Sequence, residues 1–219
     1  DVKMSPEGVP GLATAHLFRF SKRFLDEYLP YTVELGRSFV ALEYQATREG
    51  AAKGLFVLDN LWDGLGAMTV IDPSLRYFFG KVTMYNTYDP RARDMILYFL
   101  AKHFPDNEGL MEPIHPLRTQ PDTVLLKVLF DADNYKDDYR VLNREVRKSG
   151  INIPPLVNAY MSLSPKMRTF GTAVNHEFGE VEETGILIAI NEILEEKKKR
   201  HIETYLKEEY PSQPPLKYH

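Results

Sequence analysis

The chain has 219 residues, with 43% hydrophobic, 26% charged and 12% aromatic side chains and a formal net charge of -4, a composition that supports a folded core and argues against wholesale disorder or a nucleic-acid partner. It contains no cysteine, which excludes disulfides, thiolate metal sites and a cysteine nucleophile. No run approaches the roughly 20 apolar residues that cross a bilayer, so the expected location is the cytoplasm, with peripheral contact at the inner face of the cytoplasmic membrane left open.

Residues 1–11, with Pro6, Gly8, Pro10 and Gly11, read as loop. Thr14 to Phe20 reads as a strand, then a short charged turn, then a second strand from Tyr31 or Thr32 through Val40. By the two-residue period, Glu34, Gly36 and Ser38 share one face of that strand and Leu35, Arg37 and Phe39 the other. The polar connection from Ala41 to about Lys53 leads to a helix over Leu55–Val70. Its Phe56, Leu58, Leu61, Trp62, Leu65 and Met68 recur at helical spacing, while Gly64 and Gly66 point to close packing against a neighbour.

A third strand is expected over 77–85. Asp89-Pro90 then supplies a cap and a first-turn proline for a helix through about His103. Four prolines between 105 and 122 rule out one regular element there. Val124–Phe130 is apolar, and Asp133–Lys148 is expected to be a charged helix. A short helix follows Pro154-Pro155, then two strands at Arg168–Val174 and Gly185–Ile190. The charged helix expected over Glu192–Glu209 carries the basic run Lys197–Arg200, which reads as a solvated terminal face. Because the chain starts at Asp1 and reaches strand-like sequence almost at once, the reading is of a shortened chain lacking its first elements.

Glu34-Leu35-Gly36-Arg37-Ser38, Leu61-Trp62-Asp63-Gly64-Leu65, Tyr77-Phe78-Phe79-Gly80 and Pro154-Pro155-Leu156-Val157-Asn158-Ala159-Tyr160 form an ordered set. Together they resemble the hemolysin-like, ornithine-lipid-synthase-type branch of the GCN5-related N-acyltransferase (GNAT) superfamily. The resemblance implies an α/β fold with a mixed central sheet flanked by helices and splayed between two parallel strands, 33–40 and 77–85, to admit a pantetheine arm. It places the GNAT-like domain at 1–190 and a charged helix and tail at 191–219. It also implies transfer of a long-chain, 3-hydroxylated or plain acyl group to the amine of an amino acid such as ornithine or glycine. The donor would be acyl-phosphopantetheine on an acyl carrier protein, a partner in that case, or acyl-CoA, with no permanently bound cofactor and no metal. The competing expectations are an acyl-CoA enzyme making a diffusible acyl-amino acid and a noncatalytic binding or scaffold protein.

For the chemistry, Glu34 is the base candidate, with a structural ion pair to Arg37 or Arg76 as its rival reading. Arg37 either binds the acceptor carboxylate or clamps a carboxylate within the fold; Ser38 is grouped with it on the substrate side, because no His-Asp arrangement supports it as a nucleophile. The amides of Phe39 and Val40 are expected to orient the thioester carbonyl. Arg48, Gly50, Lys53 and Gly54 form a candidate phosphate contact at a helix start. Tyr160 is the candidate acid for the departing thiolate and Asn158 a donor contact. Leu55, Trp62 and Phe78 are expected beside the acyl or pantetheine chain. His176 lacks a second histidine at ligand spacing and reads as a surface turn or pocket wall rather than zinc ligand, and Asp59 with Asp63, one helical turn apart, read as carboxylates that cap, pair or face water rather than bind a metal.

Overall fold

The structure is a computed structural model that describes residues 4, 5, 8, 10–36 and 51–203, and for 51–60 the backbone alone. The chain forms two compact units, Asp1–Ser38 with Arg76–Glu192 and Phe39–Leu75 with Ile193–His219.

The first unit is built on a four-stranded mixed sheet in the order β2-β3-β6-β5, from β2 (Thr32–Leu35), β3 (Tyr77–Met84), β5 (Arg168–Asn175) and β6 (Val181–Ala189). β2 runs parallel to β3, in register from Thr32↔Tyr77 to Leu35↔Gly80. β6 runs antiparallel to both β3 and β5. Alternation therefore assigns Phe78, Gly80, Val82 and Met84 to one face, and Tyr77, Phe79, Lys81 and Thr83, with Glu34 beside Phe79, to the other.

The second of these faces carries the aromatic core. Phe18, Phe24, Phe79, Leu110, Phe170 and Leu187 are buried together there, with Phe20 edge-on to Phe79 at 6.0 Å between centroids. This layer is supplied by a two-stranded sheet of β1 (Phe18–Phe20) with β4 (Met111–Pro113) and by the turns between β1 and β2. Helices cover the opposite face. Arg93 of α2 (Pro90–His103) is 2.7 Å from Glu182 of β6, and Tyr160 of α5 (Pro155–Leu163) lies against Gly80. α4 (Tyr135–Lys148) packs on α2, where Phe99 meets Tyr135 and Tyr139 at 5.5 and 6.2 Å. The expected mixed sheet flanked by helices is thus the observed architecture.

Several local expectations hold for the reasons given. Asp89 accepts from the Ala92 amide at 2.8 Å and caps α2, and Asn134 caps α4 by accepting from Asp137 at 3.0 Å. Val124–Phe130 becomes α3 (Thr123–Leu129), capped by Asp122.

Other boundaries move. Only Phe18–Phe20 of the expected Thr14–Phe20 strand is extended, because the amides of Leu17 and Phe18 turn back to the Thr14 carbonyl. The charged turn after it is a π-helical turn at Phe24–Tyr28 and a 3-10 turn at Leu29–Tyr31. Within 105–122 the chain spares three residues for β4. β6 starts at Val181, four residues before the expected strand, because buried Glu182 and Glu183 are matched by Arg93 and Lys81. β2 leaves its ladder after Leu35, and 37–40 lie outside the described residues.

The second unit holds α1 (Ala51–Ile71) and α6 (Glu195–His201). The predicted close packing of a glycine is met at Gly66, where an added Cβ would fall 1.7 Å from the His201 carbonyl oxygen; at Gly64 it would meet nothing within 4 Å among the described residues. His201 is buried and its Nδ1 lies 2.6 Å from Asp63, so Asp63 pairs across the two helices, one of the outcomes expected for it. Met68, expected on the apolar surface of α1, is 39% exposed. α6 is shorter than the expected 192–209 helix: Ile190–Glu192 is a 3-10 turn, and 204–219 lie outside the described residues.

Candidate active site

The place where β2 and β3 run side by side gathers the informative residues of the first unit. On the helical face, the position of Gly80 is fixed by what surrounds it. A Cβ there would lie 2.8 Å from the Tyr160 hydroxyl and 3.3 Å from the Leu35 Cβ, so glycine lets the phenol sit directly on the β3 backbone beside the parallel pair. Tyr160 is 4% exposed, and burial pushes its hydroxyl well above the ordinary tyrosine range. It is therefore a protonated group throughout the neutral range. Phe78, also buried, shares this face. Two of the motifs behind the resemblance, Tyr77–Gly80 and Pro154–Tyr160, meet at this contact.

On the opposite face, the half-buried Glu34 accepts from the Ala13 amide at 2.8 Å, the Thr14 amide at 2.9 Å and the Thr14 hydroxyl at 2.7 Å. A carboxylate offers about four lone-pair sites, and the described residues fill three of them. The alternative pairing with Arg76 is not formed: the Arg76 guanidinium lies over the Tyr31 ring at 4.3 Å from its centroid. Nothing in the sequence pointed to Ala13 and Thr14, which stood in an expected strand twenty residues upstream.

Two positions along β3 from Phe79, Lys81 pairs with Glu183, which is 1% exposed and also takes the Thr83 hydroxyl at 3.0 Å and the Asn175 amide at 2.9 Å. Sequence reasoning missed this cluster; the one available signal was a lysine inside an otherwise apolar strand.

The remaining expected site residues disperse. Asn158 Oδ1 accepts from the Tyr139 hydroxyl at 2.9 Å and ties α5 to α4, so that oxygen has a structural partner. Trp62 is buried and belongs to the second unit. Lys53 and Gly54 stand in the first turn of α1, which begins four residues before the expected Leu55. Arg37, Ser38, Phe39, Val40, Arg48 and Gly50 lie outside the described residues, as does the side chain of Leu55. His176 is exposed and bonds Glu180 at 2.8 Å. Among the described residues no group of three His, Asp or Glu is arranged to hold a metal, and no helix is long and apolar enough to cross a membrane.

A mixed sheet with one parallel pair, an α-helix between those strands in sequence and a buried tyrosine against their junction is consistent with a GNAT-like acyltransferase fold. Comparison with known proteins narrows this class. The chain is 65% identical over 208 residues to a glycine N(alpha)-acyltransferase of Phocaeicola vulgatus, covering 95% of this chain and 64% of the relative. It is 64% identical over 206 residues to a glycine N(alpha)-acyltransferase of Bacteroides thetaiotaomicron, covering 94% of this chain and 61% of the relative. The chain thus spans somewhat less than two thirds of the length of these curated relatives. No family model and no solved structure matches it.

These identities correct the branch assigned by resemblance. The likeness is to glycine N(alpha)-acyltransferases, not to the hemolysin-like, ornithine-lipid-synthase type. The physical reason lies in the motifs: Gly80 and Tyr160 serve the junction of the parallel strands, so they report the acyltransferase scaffold rather than the acceptor. The expectation of an acyltransferase agrees with the names of both relatives.

Proposed function

We propose that the chain carries the catalytic fold of an N-acyltransferase that transfers an acyl group from a thioester, acyl-CoA in the leading reading, to the amine of glycine. The observation that carries this is the 65% and 64% identity, over nearly the whole chain, to two glycine N(alpha)-acyltransferases. The packing of Tyr160 on Gly80 beside the parallel pair supports it, with Glu34 on the other face of the adjacent strand.

In the proposed reaction the neutral amine of glycine attacks the thioester carbonyl carbon. The N–C bond forms, the C–S bond breaks and no covalent enzyme intermediate is made. Glu34 takes the proton lost by the amine, directly or by way of water. Tyr160, held protonated by burial, gives its proton to the departing sulfur and is reprotonated from solvent. Arg37 and Ser38 on the acceptor side, the amides of Phe39 and Val40 at the carbonyl, and Arg48, Gly50, Lys53, Gly54 and Asn158 toward the donor complete the proposal. Phe78 and Trp62 are assigned to the acyl or pantetheine chain, where each buried methylene contributes about 0.8 kcal/mol.

The test is mass-spectrometric detection of product after the chain is incubated with palmitoyl-CoA or palmitoyl carrier protein and an equimolar mixture of glycine and ornithine. N-palmitoylglycine is expected from palmitoyl-CoA, with strong loss in Glu34→Gln and Tyr160→Phe. A folded chain that makes no acylglycine from either donor overturns the reading. Product from the carrier protein alone reassigns the donor.

A further inference from the structure

We infer that Thr14 is the positioning residue for the Glu34 carboxylate: its amide and hydroxyl together hold Oε1, which leaves Oε2 as the oxygen that takes the proton of the acceptor amine. The inference rests on the reading above that Glu34 receives this proton, but the geometry is that of the turn before β1.

The Thr14 amide and the Thr14 hydroxyl both donate to Oε1, at 2.9 and 2.7 Å, while the Ala13 amide donates to Oε2 at 2.8 Å. Among the described residues Oε1 thus accepts two bonds and Oε2 one. The two Thr14 bonds are partly buried and the Ala13 bond is exposed, so Oε1 is the inner oxygen and Oε2 the outer one. At 2.7 Å the hydroxyl bond has the length of a charge-assisted contact.

Thr14 has little freedom of its own. It is 2% exposed, its branched side chain is stiff at χ1, and its carbonyl accepts from the Leu17 amide at 2.9 Å and the Phe18 amide at 3.1 Å. Phe18 is buried in the same aromatic cluster as Phe79, and Phe79 stands opposite Glu34 in the parallel register. Both ends of the contact are therefore tied to one core.

The hydroxyl is what makes the two oxygens different. Without it each oxygen keeps one backbone amide, and the carboxylate loses the asymmetry that singles out Oε2. The lost orientation lowers kcat rather than raising KM, because proton removal belongs to the transition state. The lost donor also stabilised the charged form, so the carboxylate retains its own proton to higher pH.

The experiment follows acylglycine formation from glycine and palmitoyl-CoA or palmitoyl carrier protein in the wild type, Thr14→Val and Thr14→Ser, each checked for folding by thermal melting. Carbon NMR of the Glu34 carboxyl, assigned by difference from Glu34→Gln, reads the titration without turnover. In Thr14→Val, kcat is expected to fall about tenfold with KM for glycine nearly unchanged. The acid limb of kcat against pH and the Glu34 titration should both move to higher pH. Thr14→Ser, which keeps the hydroxyl, should restore all three. Thr14→Ala replaces Thr14→Val if the valine variant does not fold. A clasp with only a structural part lowers the melting temperature and leaves kcat, acid limb and titration at their wild-type values; that result in a folded variant overturns the inference. If the wild type makes no acylglycine, or Glu34→Gln makes it at the full rate, the functional reading fails instead. A Glu34 titration that still moves in Thr14→Val then supports the hold of Thr14 on the carboxylate, and one that does not move refutes it.

Discussion

Replacing Gly80 with alanine tests the contact on which the candidate site turns. The new methyl would arrive 2.8 Å from the Tyr160 hydroxyl, 3.3 Å from the Leu35 Cβ and 3.4 Å from the Leu35 carbonyl. The Leu35 Cβ must give slightly and the Leu35 carbonyl is at ordinary contact, so most of the strain falls on the phenol, which must retreat by about 0.6 Å to reach ordinary contact. Tyr160 is 4% exposed, so its ring cannot relieve the contact by swinging into solvent. Overpacking of this kind costs roughly 1–3 kcal/mol, and the lower backbone entropy of alanine in the unfolded chain returns about 0.4–1 kcal/mol. The net expectation is a loss of about 1 kcal/mol, or about 2–4 °C in melting temperature for a chain of this size. Tyr160→Phe removes the atom that clashes, so the double variant should be more stable than the sum of the single changes predicts, by about 1 kcal/mol. Turnover should show the same coupling: Gly80→Ala displaces the proposed acid and lowers kcat by about tenfold, yet adds little to the loss already caused by Tyr160→Phe. Strictly additive effects in the urea-unfolding cycle would refute the packing argument, and additive effects in kcat alone would refute the role of Tyr160.

Three further predictions address the framework. Gly66→Ala in the second unit should undock α6, because the methyl would fall 1.7 Å from the His201 carbonyl oxygen; limited proteolysis should show cleavage within Glu195–His201 that the parent resists. Asp138→Ala should cost about 3 kcal/mol in urea unfolding, since the carboxylate is fully buried and receives Lys102 at 2.6 Å, His103 at 2.8 Å and the Ala132 amide at 3.2 Å. Burial pushes the Asp138 carboxyl up, but Lys102 and His103 more than offset this and leave it below its ordinary value; its contribution should be present above about pH 4 and lost as pH falls further. At the alkaline end, partial burial pushes the Tyr88 and Tyr135 hydroxyls up to about 12. A raised folded value favours the neutral form in the native state, so this stability is intact below about pH 10 and disappears as pH rises toward 12. Tyrosinate absorbance and loss of circular dichroism should rise together across that window; early titration of both tyrosines in a folded chain would contradict the partial burial of their hydroxyls.

The elements legible in the sequence are those whose causes are local. The Asp89-Pro90 start of α2, the Asn134 cap of α4 and the apolar stretch of β3 each carry their reason within a few residues, and each stands close to where it was expected. The stretch from Ala13 to Leu17 alternates like a strand, but the Glu34 carboxylate draws the amides of Ala13 and Thr14 to itself from about twenty residues away. No pattern inside the segment encodes that competitor. The start of β6 was hidden for a related reason. Two consecutive glutamates look like the solvated end of a strand, yet one goes to each face, and each is kept inside by a distant cation: Glu182 by Arg93, Glu183 by Lys81.

The candidate site divides along the same line. The residues themselves were legible, because Glu34 in a strand, Gly80 after three aromatics and Tyr160 after paired prolines are each unusual in their setting. Their partners were not, since Gly80 meets Tyr160 across eighty positions and Lys81 meets Glu183 across about a hundred. This explains why resemblance reached the acyltransferase scaffold, with ornithine and glycine both named as acceptors, and misassigned the branch. The scaffold is fixed by single residues with strong local constraints, whereas the charge pairs depend on which residues the folded sheet brings to one face. That Glu34 and Lys81 share one face of the sheet becomes readable only once the parallel register of β2 and β3 is known.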